Sequence, residues 1–171
     1  VTVAEQAVGI VAVADTVKPD SKAAVAALHA LGIKVVMVTG DNERTARHIA
    51  AQVGVDEIMA GVLPEGKVDA IRRLQGQYGE HVAMGGDGIN DAPALAAADL
   101  GIAMGATGSD AAIESADVAF TGHDLRLIPQ AFAHARRGLR IMNQNVVLSL
   151  LIIATLLPLS LFGVLGLASV V

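Results

Sequence analysis

The carboxylates of Asp87 and Asp91 are four residues apart in a glycine-rich stretch, residues 85–91, that follows an apolar run over residues 81–84. The run predicts a buried strand, and the three glycines permit a sharp turn and a close approach of the backbone to a bulky, charged group. Carboxylates suit Mg²⁺, which usually takes one or two of them together with waters and a substrate phosphate oxygen. Pro93 fits the first turn of a following helix. The stretch therefore predicts a binding site for Mg²⁺ and phosphate at the end of a strand. The alternative is an ordinary turn with solvated carboxylates.

A second loop with phosphate-binding chemistry follows the buried strand predicted over residues 34–38. A helix predicted over residues 43–53 begins directly after this loop. The loop has the sequence Thr39-Gly40-Asp41-Asn42. A hydroxyl and backbone N–H groups at a helix N-terminus are suited to bind phosphate. The alternative is a loop that only caps the helix.

Lys67 lies in the first turn of a helix that the sequence predicts from Pro64 to about Tyr78. Cations are disfavoured at helix N-termini because the helix dipole is positive there. A bound phosphate would explain a lysine at this position. The alternative is a solvated side chain with no role in binding.

Apolar strands and amphipathic helices alternate along the chain, with turn residues between them. We predict strands at residues 8–14, 34–38, 57–60, 81–84, 100–104 and 118–120. We predict helices at residues 21–31, 43–53, 64–78, 91–98 and 110–115, the first of them capped by Asp20 or Ser21. This order predicts a doubly wound parallel α/β sheet, whose ligands bind beyond the carboxyl ends of the strands. Thr39, Asp87 and Asp91 all follow strands, so we expect them to converge on one pocket.

The composition excludes several functions. The net charge of −5 and the aromatic content of 2%, without Trp, exclude nonspecific nucleic-acid binding and a base-stacking surface. The absence of Cys excludes disulfides and thiolate metal sites in this sequence. The five histidines have no metal-ligand spacing, and we interpret them as structural. The N-terminus has neither the pattern of a signal peptide nor an initiator Met, so we expect the chain to be a fragment.

The apolar residues are concentrated at the end of the chain, where the 26 residues from 146 to 171 include no charge. At about 1.5 Å per residue they exceed a hydrocarbon core of roughly 30 Å, which predicts a transmembrane helix. The alternative, a buried core helix, is normally shorter. A basic helix predicted over residues 124–141 precedes this span. By the positive-inside rule, its Arg136, Arg137 and Arg140 place the α/β part in the cytoplasm.

Three motifs, in this order, resemble those of the haloacid-dehalogenase (HAD) superfamily in the form carried by P-type cation-transporting ATPases. They are Val38-Thr39-Gly40-Asp41-Asn42, Pro64-Glu65-Gly66-Lys67 and Gly86-Asp87-Gly88-Ile89-Asn90-Asp91-Ala92-Pro93-Ala94-Leu95. The residue sequence of the third motif is typical of the heavy-metal transporters of that family. The resemblance implies a HAD-like, Rossmann-like phosphorylation domain over residues 1–125, a basic connecting helix over 126–145 and a transmembrane helix over 146–171. It also implies an integral membrane protein of the plasma membrane.

The same resemblance implies roles for individual residues. Thr39 would bind an aspartyl phosphate through its hydroxyl, and Lys67 would neutralise the phosphate oxygens. Asp87 would coordinate Mg²⁺, with Asp91 and Asn90 completing the shell around metal and phosphate. The catalytic set is therefore Thr39, Lys67 and Asp87.

Further implied partners are ATP and a heavy-metal cation. Gly40 and Asp41 would shape the loop that faces the nucleotide. The reaction is covalent phosphoryl transfer, in which an Asp attacks the γ-phosphate of ATP and the aspartyl phosphate is later hydrolysed. The resemblance therefore predicts an ATP hydrolase and cation translocase that depends on Mg²⁺.

One departure from the family is decisive, because the nucleophile motif Asp-Lys-Thr-Gly-Thr does not occur in this sequence. We therefore expect this chain to be inactive alone and its parent to be the pump. Two alternatives are a membrane-anchored HAD phosphatase and a non-catalytic module that binds phosphate or Mg²⁺. The start of the span at Gln144-Asn145 and its Leu-rich, Pro-containing sequence resemble the zinc, cadmium or cobalt exporters of the family more than the copper exporters. A smaller departure is Gly85-Gly86, where the family more often has an apolar residue.

Overall fold

The computed structural model describes residues 2–3, 6–7, 17–79, 81–86, 89–105 and 110–162. The chain divides into two compact units, Val1–Leu127 and Ile128–Val171. Several predicted features lie outside the described residues: the strand over 8–14, Asp87, Gly88 and the end of the apolar run, residues 163–171.

The described residues alternate between strands and helices. The strands are β1 Thr2–Val3, β2 Gln6–Ala7, β3 Val36–Val38, β4 Glu57–Met59, β5 Ala83–Gly86, β6 Leu100–Met104 and β7 Val118–Phe120. The helices are α1 Ser21–Ala30, α2 Glu43–Val53, α3 Lys67–Tyr78, α4 Ala92–Ala97, α5 Asp110–Ser115 and α6 Leu127–Leu161. Two 3₁₀ turns, Pro64–Gly66 and Ile89–Asp91, lead directly into α3 and α4.

The ladders from β3 onward are all parallel. β3 pairs with β4, with Met37 opposite Ile58. β6 lies between β5 and β7 and is parallel to both. Parallel strands require crossover connections, and the helices between these strands provide them. The predicted α/β fold class is confirmed, although no ladder among the described residues joins the β3–β4 pair to the β5–β6–β7 sheet.

The core around α4 and β6 is made of small and medium-sized side chains. Leu95 and Ala103 are buried at its centre, with Met84 and Ala116 packed against them. A Cβ atom added to Gly101 would lie 2.7 Å from the carbonyl oxygen of Leu95. The backbone of α4 therefore approaches β6 more closely than any side chain at position 101 would permit. This contact holds α4 against the sheet.

Several predicted boundaries are correct because local chemistry determines them. α2 begins after Asn42, whose side chain accepts a hydrogen bond from the backbone N–H of Thr45 at 3.0 Å. It ends at Gly54, which has a φ of 88°, a conformation that glycine adopts without strain. Asp20 occupies the predicted N-cap position of α1, but its carboxylate makes no capping bond. That carboxylate instead accepts the backbone N–H of Leu125 at 2.9 Å.

Several predicted boundaries are wrong, among them the start of β3, which lies at Val36 and not at residue 34. β5 begins at Ala83 and includes Gly85 and Gly86, which we expected in the turn. The two glycines belong to the strand because Gly85 and Gly86 pair with Ile102 and Ala103 of β6. The helix predicted from residue 124 begins at Leu127.

The residues before α6 form a turn in which the carboxylate of Asp124 accepts hydrogen bonds from the backbone and the guanidinium of Arg126. These bonds hold the pKa of the Asp124 carboxyl well below its usual range. The helix starts only after this turn, which explains its later beginning.

α6 is long and apolar enough to cross a membrane by length and composition. Its 35 residues correspond to about 52 Å at 1.5 Å per residue. Pro158 lies inside the helix, and the hydroxyl of Thr155 bonds back to the carbonyl oxygens of Leu151 and Ile152. The helix runs without a break from the predicted connecting segment into the predicted transmembrane segment as far as Leu161. The boundary between the two segments stays a prediction.

The approach of α4 to β6 can be tested with Gly101→Ala. The added Cβ would overlap the carbonyl of Leu95, so we expect the free energy of unfolding to fall by about 1–3 kcal/mol. Gly76→Ala is the control, because Gly76 lies in α3 with open space around it; there we expect a gain of about 0.5–1 kcal/mol. Urea unfolding of the chain in detergent measures both. Equal effects at the two positions would contradict the close approach.

Asp56, directly before β4, bonds to α1 and to the residue before β3. These bonds predict that the stability of the fold depends on pH. The carboxylate of Asp56 accepts the backbone N–H of Val35 at 2.7 Å and the ring N–H of His29 at 2.8 Å. Both bonds lower the pKa of Asp56 below its ordinary value of 3.8, and the bond from Val35 has the larger effect. A lowered folded-state pKa stabilises the fold above the unfolded-state value, and this stabilisation is lost as the pH falls through the folded-state value.

We therefore expect Asp56→Asn to lower the thermal midpoint at neutral pH and to have a smaller effect below about pH 3.9, where the unfolded carboxyl is protonated. Thermal unfolding between neutral and acid pH measures this difference. Glu114→Gln, which removes an exposed carboxylate from the last turn of α5, is the control and should lack this pH dependence. A constant effect of Asp56→Asn across the range would refute the contribution of the ionised carboxylate.

Candidate functional site

The loop after β3 is bound to the loop after β4. The backbone N–H of Thr39 donates to the carbonyl of Met59 at 2.9 Å, and that of Val62 donates to the carbonyl of Thr39 at 3.0 Å. The backbone N–H of Gly61 donates to the carbonyl of Asp41 at 2.8 Å. The predicted phosphate loop is thus tied to the segment that leads into the Pro64–Gly66 turn.

Local hydrogen bonds determine the shape of the Thr39–Asn42 loop itself. The hydroxyl oxygen of Thr39 accepts the backbone N–H of Asp41 at 3.1 Å. The side-chain oxygen of Asn42 accepts both the backbone N–H and the hydroxyl of Thr45. Asn42 therefore caps α2, which is the alternative that the sequence left open for this loop. The Thr39 hydroxyl can still donate its proton, because it acts only as an acceptor in this bond.

Lys67 and Asp91 form an ion pair across 24 residues of sequence. The Nζ atom of Lys67 lies 2.5 Å from Oδ1 of Asp91, and the two side chains are 19% and 11% exposed. The attraction between the Asp91 carboxylate and the Lys67 ammonium offsets the repulsion of that ammonium by the positive end of the helix dipole. The contact also gives a nearly buried carboxylate the counter-ion that it needs. It joins the start of α3 to the 3₁₀ turn before α4.

Gly86 is the residue that lets the Asp91 carboxylate approach the end of β5. A Cβ atom at position 86 would lie 2.7 Å from the Cβ of Asp91 and 2.8 Å from its Oδ2. Any side chain larger than hydrogen would displace the carboxylate. The sequence indicated a close approach at this glycine stretch, but it did not indicate that the partner is Asp91.

The other predicted site residues lie at the surface. Gly40, Asp41 and Asn90 are exposed. Among the described residues, no hydrogen bond or ion pair joins the Thr39–Asn42 loop to Lys67 or Asp91. The structure thus brings together Lys67, Asp91 and the glycine beside them. Asp87 lies outside the described residues, so its role stays a prediction.

The described side chains fit Mg²⁺ only in part by themselves. No group of three or more His, Asp or Glu side chains surrounds a potential ion position in the described part of the chain. Mg²⁺ needs only one or two carboxylates when phosphate oxygens and waters complete its octahedron. Asp91 supplies one carboxylate in the space that Gly86 leaves open, and Asp87 precedes it by four residues. This donor set is suited to the ion.

Sequence reasoning missed a contact between the ends of β6 and β7. Gly105 has a φ of 69°, and its backbone N–H donates to the carbonyl of Gly122 at 3.0 Å. A Cβ on Gly105 would lie 2.1 Å from Cε1 of His123, so the imidazole packs directly against this glycine. A glycine at a strand end was the only sequence signal for this contact.

Comparisons with known proteins identify the relatives of this chain. Residues 1–99 match the family model described as haloacid dehalogenase-like hydrolase. The "Probable cation-transporting ATPase G" of Mycobacterium tuberculosis is 54% identical over 167 residues, which are 98% of this chain and 21% of that protein. A copper-exporting P-type ATPase of Staphylococcus haemolyticus is 53% identical over 138 residues, 81% of this chain and 17% of that protein.

A solved structure extends the comparison to three dimensions. The crystal structure of a zinc-transporting PIB-type ATPase matches with a TM-score of 0.81 and 44% identity, covering 91% of this chain and 25% of that chain. This chain therefore spans about a sixth to a quarter of the length of these relatives.

The Lys67–Asp91 pair can be tested with a double-mutant cycle. Lys67→Met keeps the aliphatic stem but leaves the Asp91 carboxylate without its cation, so we expect a loss of about 1–3 kcal/mol in the free energy of unfolding. Asp91→Asn in the same chain should recover part of this loss, with a coupling energy of about 0.5–3 kcal/mol. Urea unfolding measures the four variants of the cycle.

The matched control for this cycle is the exposed pair of Glu43 and Arg47, whose side chains are 70% and 71% exposed. Exposed i,i+4 pairs contribute about 0.3–0.5 kcal/mol. Equal coupling energies in the two cycles would show that the Lys67–Asp91 pair has no special importance.

Proposed function

Because the chain belongs to the haloacid dehalogenase-like hydrolases, we propose that it is part of the phosphorylation domain of an ATP-driven heavy-metal cation pump, joined to one of its membrane helices. The observation that carries this proposal is the Lys67–Asp91 pair held against Gly86 at the carboxyl end of β5. The homology to cation-transporting and copper-exporting P-type ATPases supports the same conclusion.

The residues of the pair have complementary tasks in phosphoryl transfer. An ammonium group has three N–H donors, and Asp91 takes one of those of Lys67. The other two are available to oxygens of a phosphoryl group, whose negative charge Lys67 neutralises. Asp91 acts on phosphate through Lys67 by holding the ammonium in place. Such preorganised charge is the main contribution that a protein makes to phosphoryl transfer.

Thr39 and the acidic residues complete the site. The Thr39 hydroxyl donates a hydrogen bond to the phosphoryl group from the loop after β3, while Gly40 and Asp41 shape the part of that loop that faces ATP. Asp87 and Asp91 would hold Mg²⁺, and Asn90 would complete the shell around metal and phosphate. When bound, Mg²⁺ would supply positive charge that stabilises the phosphoryl group.

The nucleophilic Asp comes from another part of the parent protein, because the motif that carries it is absent from this sequence. Among the described residues, β3 pairs only with β4 and β5 pairs only with β6, so each has an edge open to another strand. We place the strand of the nucleophile between these two edges. The Asp at its carboxyl end would then lie between Thr39 and the Lys67–Asp91 pair.

α6 connects the α/β unit to the membrane. By the positive-inside rule, the arginines of α6 place the α/β unit in the cytoplasm. The described part of the span, residues 146–162, has no Cys, His or acidic residue that could bind a cation. The cargo is a heavy-metal cation, and the sequence preference for zinc, cadmium or cobalt over copper stays a prediction. The relatives include both a copper exporter and a zinc transporter.

The proposed function predicts the behaviour of variants in the intact parent protein. Asp87→Ala should abolish formation of the acid-stable phosphoenzyme from radiolabelled ATP, because it removes a carboxylate that holds Mg²⁺. Gly86→Ala should lower the rate by about a hundredfold, since its Cβ displaces Asp91 without changing any charge. Gly76→Ala is the control and should label like the unmodified protein.

Full labelling of the Asp87→Ala variant would refute the pump assignment. Hydrolysis of small phosphate esters by the parent without labelling from ATP would favour a membrane-anchored phosphatase instead. Binding of Mg²⁺ and phosphate analogues without any turnover would indicate a non-catalytic module.

A further inference from the structure

Gly61 is the residue at which the chain turns between β4 and the start of α3. Its φ is 67°, a left-handed conformation that glycine adopts without strain and that other residues rarely adopt. The backbone N–H groups of Gly61 and Val62 donate to the carbonyls of Asp41 and Thr39, respectively. Successive N–H groups converge on one partner only where the backbone leaves the extended conformation, as it does in a left-handed turn. The conformation of Gly61 therefore allows both amides to bind the loop after β3.

Val62 extends this connection to the helix that carries Lys67. The carbonyl oxygen of Val62 lies 3.5 Å from the place that a Cβ on Gly40 would occupy. The Cγ1 atom of Val62 lies 3.5 Å from the corresponding place on Gly66, the residue directly before Lys67. Both distances are those of ordinary van der Waals contact. Val62 therefore packs against the loop after β3 on one side and against the start of α3 on the other.

This backbone connection relates two groups that act on phosphate in the proposed function, the hydroxyl of Thr39 and the ammonium of Lys67. Among the described residues, no side-chain hydrogen bond or ion pair joins the loop of Thr39 to Lys67. Two groups that hold one phosphoryl group must keep a fixed separation, since a displacement of about 1 Å can reduce a rate about a hundredfold. The turn at Gly61 therefore bears on the separation of Thr39 from Lys67.

We propose that Gly61 is a positioning residue for phosphoryl transfer, because its left-handed backbone holds the loop of Thr39 at a fixed distance from Lys67. The inference rests on the function proposed above. Gly61 acts through its backbone alone, since no atom lies within 4 Å of the place where its Cβ would be. Alanine at this position meets no steric clash, but it favours a negative φ. Rotation of the backbone toward a negative φ would turn the N–H groups away from the loop.

The test measures the phosphorylation of the intact parent protein by radiolabelled ATP and its inhibition by orthovanadate, an analogue of the transferred phosphoryl group. Gly61→Ala should lower the rate constant at saturating ATP by at least about tenfold, because Thr39 and Lys67 no longer hold the phosphoryl group together. It should raise the orthovanadate concentration for half-inhibition by about the same factor, since the analogue needs the same two groups. A variant that is only less stable would give fewer labelled molecules with an unchanged rate constant and unchanged half-inhibition.

Further variants separate the backbone conformation from stability. The effect should increase from Gly61→Asn to Gly61→Ala to Gly61→Val, because Asn adopts a positive φ most readily of the three and a β-branched residue least readily. Gly54 is the matched control, because its φ is 88° and no atom lies within 4 Å of an added Cβ. Its N–H, however, donates to Ala50 within α2. Gly54→Ala introduces the same backbone strain and should leave the rate constant and the half-inhibition unchanged.

Amide hydrogen exchange of this chain in detergent tests the structural part of the inference without ATP hydrolysis. The amide of Val62 should exchange at least about tenfold faster in Gly61→Ala than in the unmodified chain, because its hydrogen bond to Thr39 is lost. Gly54→Ala should leave this exchange rate unchanged. Equal exchange rates of Val62 in the two variants would overturn the proposal.

The phosphorylation measurements can overturn it independently. An unchanged rate constant and half-inhibition in Gly61→Ala would refute the positioning role, and so would effects of equal size at positions 54 and 61. The pump assignment fails through a different result, an unmodified parent protein that ATP never labels, and the positioning role would fail with it. Normal labelling of both the parent and Gly61→Ala would refute the positioning role alone.

Discussion

A carboxylate that is only 11% exposed needs a counter-ion, and the ammonium group of Lys67 provides it for Asp91 at 2.5 Å. Removing either partner would leave a charge that water cannot fully solvate, so the two residues depend on each other. Lys67 begins α3 and Asp91 precedes α4, and these helices pack against each other. The pair therefore holds two helix starts together beside the carboxyl end of β5. The position proposed for the phosphoryl group follows from this contact.

The pair can form only because the backbone around it is tightly packed. Gly86 leaves room for the Asp91 carboxylate, and Gly101 lets α4 approach β6 to a distance that a Cβ would prevent. The buried residues on α3, α4 and β6 include an alanine on each element, Ala70, Ala94 and Ala103, beside larger side chains such as Ile71 and Leu95. Small side chains bring backbones close together, so the placement of α4 depends on steric exclusion as much as on buried apolar area.

The second unit differs from the α/β unit in that its apolar side chains are not buried in a core. The apolar side chains of α6 are exposed over most of the helix, and several, including Leu150 and Val147, are more than 60% exposed. A continuous apolar surface of this size is unfavourable in water and requires lipid or other membrane helices around it. The arginines outside this surface prefer the polar headgroup region. In the transmembrane helix that we propose, these opposite solvent preferences would place the membrane boundary between the arginines and the apolar run.

Local chemistry let the sequence determine the class of fold, the limits of α2 and β6, and the three loops that carry the candidate site. Asn42 caps a helix and Gly54 ends one through interactions with their near neighbours, which a sequence pattern records directly. The tertiary structure alone decided that Lys67 pairs with Asp91, that Gly86 belongs to β5, and that the carboxylate of Asp20 bonds to Leu125 instead of capping α1. Each of these depends on groups from distant parts of the chain, and the spacing of residues contains no information about which charge or backbone group will meet another in space.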